Sequence, residues 1–187
     1  MINTRKDKDY WEPSRTGFVT NYPNFLHWKR LKPEKLGDNR RPLNVYVHIP
    51  FCIQRCAYCY YKTINLRGRD KSKRMDDYVD TLCREIELAS DYYNLHERPV
   101  TSVYFGGGTP SLLSAEQLQR VIEVVRTNFQ ADTCQFTVES EPVTLTQPKA
   151  NMLREMDIQR ISMGVQSFDT NIIKRSNRLD DEKQVMK

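Results

Sequence analysis

At 187 residues, with 28% charged and 39% hydrophobic residues and a net charge of +5, the chain has the balance of an ordinary globular domain, or of one domain plus an extension. No apolar run approaches the ~18 residues of a membrane span, and the opening MINTRKDKDYWEPS lacks the apolar core of a signal peptide, so a cytoplasmic protein is predicted. Five cysteines, an odd number with three of them clustered, argue against a disulfide framework and for a metal site.

Residues 1–41 are rich in charge, proline and aromatics without a sustained period, and predict an irregular extension ending at the turn-like GDNRRP. From residue 42 the pattern becomes regular. LNVYVHI (Leu43 to Ile49) reads as a buried strand, and a loop carrying Cys52, Cys56 and Cys59 follows it. The basic cluster Arg67, Arg69, Lys71, Lys73 and Arg74 reads either as a solvated loop or as a contact for an anionic substrate. Met75 to Tyr93 has apolar residues at helical spacing. VTSVYF (Val100 to Phe105) is a second strand running into GGGTPS. Ser114 with Gln117 three residues on predicts a capping box opening the helix AEQLQRVIEVVRTNF. CQFTVES (Cys134 to Ser140) is a third strand, and Thr144 or Thr146 opens a helix to about Met156. IQRISMGV is a fourth strand, and Asp169 starts a short helix near Ile172 and Ile173. Cys83 and Cys134 fall in apolar patterns and are expected in the core.

Strand and helix alternate four times at the roughly 30-residue spacing of βαβ units, which predicts an α/β fold with a parallel sheet. In such sheets ligands sit at the C-terminal ends of the strands. The cysteine loop, GGGTP, ESEP and GVQSFD follow the four strands in that order, so one end of one sheet collects every unusual motif.

Close-spaced thiolates bind zinc or iron–sulfur clusters. Structural zinc needs a fourth Cys or His. His48 lies inside a strand, and His27 and His96 have no ligand pattern around them. A redox pair of Cys56 and Cys59 is the lesser alternative. Three thiolates on a [4Fe–4S] cluster leave one iron open to bind and reduce a small molecule.

The spacing C-x3-C-x2-C after the first strand, with GGGTP after the second, resembles the radical S-adenosylmethionine (SAM) enzymes. The fuller set RPLNVYVHIPFC, CAYC, GGGTP and GVQSFD is similar to the branch holding the oxygen-independent coproporphyrinogen III oxidases, heme chaperones and radical C-methyltransferases. TNYPNF, in the extension, is also similar to a segment ahead of the oxidase core. The resemblance implies a partial (βα)6 TIM-like barrel, of which residues 42–187 with about four βα units would be the N-terminal part. It implies that Cys52, Cys56 and Cys59 ligate the cluster and that SAM chelates the open iron. Reductive cleavage then gives a 5′-deoxyadenosyl radical that abstracts a substrate hydrogen.

Gly106, Gly107, Gly108 and Thr109 match the motif that meets the SAM amino group, although a tight strand-to-helix turn alone would explain such glycines. Tyr46, placed at the end of the first strand, matches a tyrosine contacting SAM, with core packing as the alternative. Tyr58 sits where the family sets an aromatic against the adenine. Glu139, Gln166 and Arg178 match polar SAM contacts; surface placement is the plain alternative for Arg178, in the charged SNRLDD. Glu141 stands where the family carries Asn or Asp. Tyr61 stands where oxidases carry a further cysteine, which points away from the authentic oxidase; a methyltransferase or cyclopropanase of the same branch, using two SAM molecules, is the second reading. A non-catalytic heme chaperone is the reading from another class. The implied partners are a small-molecule substrate and a reductant such as flavodoxin or ferredoxin, with no nucleic acid.

Overall fold

Four parallel strands lie side by side in chain order, each joined to the next by a helical crossover. A computed structural model describes residues 41–66, 68, 70–180 and 185, all within the unit Gly37–Lys187. The expected extension over residues 1–41, apart from Arg41, and Arg67 and Arg69 of the basic cluster lie outside the described residues.

The strands of the main sheet are β1 (Leu43–Ile49), β4 (Val100–Gly107), β5 (Gln135–Ser140) and β6 (Arg160–Met163), in the order β1-β4-β5-β6. Two further strands of two residues each, β2 (Phe51–Cys52) and β3 (Ile64–Asn65), pair in parallel beside it. The helices are α1 (Lys71–Tyr92), α2 (Ala115–Asn128), α3 (Gln147–Glu155) and α4 (Thr170–Arg175). An order that never reverses is the winding of a barrel wall; a doubly wound sheet would show a switch point. None of the described helices is long and apolar enough to cross a membrane.

The strand alternation divides the sheet into two unlike faces. Val47, Ile49, Val103, Phe105, Phe136 and Val138 point toward the helices and are buried. There they meet Leu118, Val121, Ile122 and Val125 of α2, and Leu153 of α3, in one core. Cys83 and Cys134 belong to this core, as expected. Burying a Phe or Val side chain contributes roughly 1.5–3 kcal/mol, so this face supplies most of the stabilisation. The opposite face carries Tyr46, His48, Tyr104, Thr137, Glu139 and Ser162, set level with one another by the parallel register.

Local signals act where the sequence places them. The Ser114 side chain accepts from Gln117 N at 3.1 Å while Gln117 Oε1 accepts from Ser114 N at 2.9 Å, a complete capping box. Asp169 caps α4, accepting from Asn171 N at 2.7 Å and Ile172 N at 3.2 Å. Two expectations are corrected. Helix α1 begins at Lys71, four residues before the expected Met75, because KSKR has no apolar period but consists largely of good helix formers. Lys71, Lys73 and Arg74 are thus helical, and Lys73 pairs with Asp77 at 2.9 Å on an exposed surface. Strand β4 runs on through Gly106 and Gly107, two residues past the expected end at Phe105.

Candidate functional site

The cysteine loop hangs from the end of β1 and is closed at its base. Pro50 O accepts from Ile64 N at 2.8 Å, and Cys52 O accepts from Leu66 N at 3.1 Å, so β2 and β3 pin both ends of the loop spanning residues 53–63. Inside it Cys59 N donates to Cys56 O at 3.1 Å, and Arg55 donates to Cys59 O from Nε at 3.3 Å and from Nη2 at 3.1 Å. Cys52 is buried and Cys56 and Cys59 are partly exposed; all three are free thiols. Burial pushes the Cys52 thiol up, with hydrogen bonds from Thr109 and Thr63 working against it.

Against this loop lies the glycine ribbon. Gly108 N donates to Ile49 O at 2.7 Å and Thr109 N to Phe51 O at 2.8 Å, and Thr109 Oγ1 approaches Cys52 Sγ at 3.7 Å. A Cβ on Gly108 would stand 2.5 Å from Phe51 O and 2.9 Å from Cys52 Sγ. Gly107 has φ +114°, a conformation that side chains rarely adopt, and a Cβ there would meet the His48 ring at 2.7 Å. The glycines therefore let the ribbon seat directly on the cysteine-bearing strand.

A cavity of about 280 Å³ opens beside this seat, lined among others by Gly108, Thr109, Glu139, Glu141, Gln166 and Arg178. Gln166 adopts φ +66°, which is uncommon for a residue that is neither Gly, Asn nor Asp, and such strain collects at functional sites. Glu139 accepts from the Tyr104 hydroxyl at 2.6 Å. Burial, then that bond and the Glu139 charge, push the Tyr104 phenol up to about 12. Burial likewise raises the Glu141 carboxyl, with Arg178 opposing it.

Arg178 is buried, its side chain only 4% exposed, which rules out the surface placement that its charged neighbourhood suggested. Its Nε lies 2.7 Å and its Nη2 2.5 Å from Asp180 Oδ2, and Nη2 donates to Gly164 O at 2.6 Å. Nη1 stands 3.6 Å from Cys56 Sγ, 3.4 Å from Tyr58 Oη and 3.5 Å from Glu141 Oε1. Burial works against this charge, but the bonds to Tyr58 and Asp180 and the carboxylates outweigh it, so the guanidinium holds its proton more tightly than a free arginine.

Tyr46 and Gly107 are not among the cavity's lining residues. Tyr46 lies within β1, short of its end, and is 57% exposed, so core packing does not explain it. It stacks on Tyr104 at 6.2 Å and shares a hydrogen bond with His48 Nδ1 at 3.1 Å. Tyr58 is exposed beside Arg178. Sequence reasoning missed the network that holds Glu141. Ser111 Oγ shares a 2.5 Å hydrogen bond with Thr144 Oγ1 and accepts from Glu141 N at 3.2 Å, and Lys149 Nζ donates to Ser111 O at 2.6 Å and Thr144 O at 3.0 Å. Thr144 reads as a helix cap in the sequence, and only the fold brings Ser111 to it.

No three His, Cys, Asp or Glu side chains among the described residues are gathered as the ligands of a single metal ion. A tetrahedral ion draws every sulfur to about 2.3 Å from one point, whereas an iron–sulfur cubane takes each thiolate on a separate iron. Three free thiols on one pinned loop, with a Cβ-free ribbon against one and an arginine N–H beside another, fit such a cluster.

Residues 46–187 match the family model described as the radical SAM superfamily. The chain is 36% identical over 150 residues to an oxygen-independent coproporphyrinogen III oxidase of Pseudomonas aeruginosa, covering 77% of this chain and 32% of that protein. It is 29% identical over 147 residues to a heme chaperone of Buchnera aphidicola, covering 78% of this chain and 38% of the relative. The solved coproporphyrinogen III oxidase of Escherichia coli, described as a radical SAM enzyme, superposes with a TM-score of 0.77 at 32% identity, covering 90% of this chain and 39% of that one. The chain thus spans about a third of the length of the curated relatives it matches.

Proposed function

Because the chain belongs to the radical SAM superfamily, we propose that it carries the cofactor-binding part of an enzyme of the coproporphyrinogen III oxidase-like kind, acting on a small organic substrate. The observation that carries this reading is the seating of the cysteine loop against the glycine ribbon, with the Glu139–Gln166–Arg178 cavity beside it. Cys52, Cys56 and Cys59 would hold a [4Fe–4S] cluster, and Gly107, Gly108, Thr109, Glu139, Gln166 and Arg178 would hold SAM. Bound there, the cluster and SAM would supply, on one-electron reduction, the 5′-deoxyadenosyl radical for hydrogen abstraction from the substrate. The protein's own contribution is placement. Arg178 offers a forked donor suited to a carboxylate, Glu139 an acceptor already fixed by Tyr104, and Tyr58 an aromatic cover over the loop. A flavodoxin- or ferredoxin-like donor would reduce the cluster in the cytoplasm.

The place of Tyr61 favours a second reading, a C-methyltransferase using two SAM molecules. Tyr61 stacks on Tyr60 at 4.7 Å, both more than half exposed, at the place where the resemblance implies a further cysteine in the oxidases. The likeness to a heme chaperone supports a third. Anaerobic reconstitution with iron and sulfide, followed by SAM and a one-electron reductant such as dithionite, separates them. 5′-Deoxyadenosine alone is the expected product set; added S-adenosylhomocysteine indicates the methyltransferase, and neither product with tight heme binding indicates the chaperone. Cys56→Ala should lose the visible charge-transfer absorbance of the cluster; a full cluster in that variant would sink the ligand assignment.

A further inference from the structure

The segment that follows α4 grips the cysteine loop from a distance of about 120 residues along the chain. Helix α4 ends at Arg175 with Ser176 as its C-cap, and Asn177 takes the left-handed conformation (φ +56°) that commonly turns a chain back at a helix C-terminus. The reversal brings four hydrogen bonds onto the loop backbone and its flank. Ala57 N donates to Ser176 O at 3.0 Å, Asn177 Nδ2 to Arg55 O at 2.8 Å, and Gln54 Nε2 to Asn177 O at 2.9 Å and to Asn177 Oδ1 at 2.5 Å. The space left between the two segments is about 10 Å³, too little for more than one water.

Arg178 and Asp180 complete this contact. Two of the three guanidinium nitrogens are taken by short bonds to Asp180 Oδ2 and Gly164 O, and the third, Nη1, is left facing Cys56, Tyr58 and Glu141. The Asp180 side chain is 2% exposed, and its Oδ1 is buried with no hydrogen-bond partner among the described residues. An unmatched carboxylate oxygen in the interior is costly and calls for an explanation. Here the carboxylate is spent on aiming one arginine.

We propose that Ser176–Asp180 is a clasp that fixes the cysteine loop, and that Asp180 is a positioning residue orienting Arg178 so that Nη1 is presented to the cluster and to the SAM carboxylate. Without Asp180 the carboxylate left beside Arg178 among the described residues is that of Glu141, whose Oε1 lies 3.5 Å from Nη1. The guanidinium would turn its fork there and withdraw Nη1 from the thiolate. This inference rests on the cluster-and-SAM reading above.

The test uses the 187-residue chain, reconstituted anaerobically, with SAM affinity read from the change that SAM causes in the electron paramagnetic resonance spectrum of the reduced cluster. Asp180→Asn should keep its iron and sulfide but bind SAM about 10–100-fold more weakly, the range typical of lost outer-sphere support. Asp180→Glu, which keeps the charge, should recover most of that loss. In the metal-free protein, the Arg178 Nε–H signal in a nitrogen-15 spectrum should be sharp and slow to exchange in wild type and Asp180→Glu, and lost in Asp180→Asn. Wild-type SAM affinity in Asp180→Asn, or an unchanged Arg178 signal, overturns the clasp while leaving the cofactor assignment standing. If Asp180→Asn does not fold, Asp180→Glu decides, because a wild-type SAM affinity with a displaced Arg178 signal overturns it as well. A wild-type chain that assembles no cluster overturns both readings.

Discussion

Gly108→Ala is the sharpest test of how closely the glycine ribbon sits on the cysteine strand. The added methyl would lie 2.5 Å from Phe51 O and 2.9 Å from Phe51 C, both backbone atoms that no rotamer change can move away. Forcing such a contact costs about 1–3 kcal/mol in strain. Parting the strands also breaks the bonds from Gly108 N to Ile49 O and from Thr109 N to Phe51 O, at about 1 kcal/mol each. The total of about 3–5 kcal/mol is a large part of the 5–15 kcal/mol that a domain typically holds. In urea denaturation of the metal-free chain this lowers the midpoint by about 2 M for a slope near 2 kcal/mol/M. Gly164→Ala is the control, since its Cβ meets only the mobile Gln166 amide at 3.2 Å and Ser140 O at 3.6 Å, and it should cost less than about 1 kcal/mol. A Gly108→Ala midpoint equal to that of Gly164→Ala would refute the close approach.

Tyr104 gives a pH test with a definite sign. Its phenol rises from the usual value near 10 to about 12, so the fold favours the protonated form. The stability this contributes is whole below about pH 10 and is lost as pH climbs through about 12. Tyr104→Phe should remove one tyrosinate from the highest part of an ultraviolet titration, and a titration unchanged there contradicts the Glu139 bond. Ser114→Ala removes the acceptor for Gln117 N and should cost about 1 kcal/mol, seen as a lower thermal midpoint; no change would mean that the capping box adds nothing in place.

The parts of the fold that were legible are those with a repeating signal. The strand Leu43–Ile49 was bounded to the residue because apolar side chains and turn residues change together at its ends. The helix Ala115–Asn128 was bounded by its cap and its period. Strands β2 and β3 were not legible, since two residues carry no period, yet they decide where Cys52 sits. The continuation of β4 through Gly106 and Gly107 was hidden because glycine reads as a turn unless the neighbouring strand is known to accept it. Arg178 is the instructive case. Its charged neighbours pointed to solvent, and only the buried pairing with Asp180 shows that the side chain is interior. The Ser111–Thr144–Lys149 support of Glu141 joins residues more than 30 positions apart and leaves no local pattern to read.

The division of the sheet into an apolar and a polar face bears on why the chemistry collects where it does. Parallel strands are usually apolar on both sides, and a barrel interior is normally filled by branched aliphatic side chains. Here the side away from the helices carries Tyr46, Tyr104, Thr137 and Glu139 at matched register, with Tyr104 and Glu139 already bonded to each other. A polar layer of this kind gives up the burial that aliphatic packing would contribute, and it leaves space and hydrogen-bonding groups for a ligand in exchange. The stabilisation must then come from the helix side, where Phe105, Phe136, Val121 and Ile122 are wholly buried. Loops at the strand ends can therefore carry strained and unmatched groups such as Gln166 and Asp180, because the rigid wall beneath them does not depend on those groups to fold.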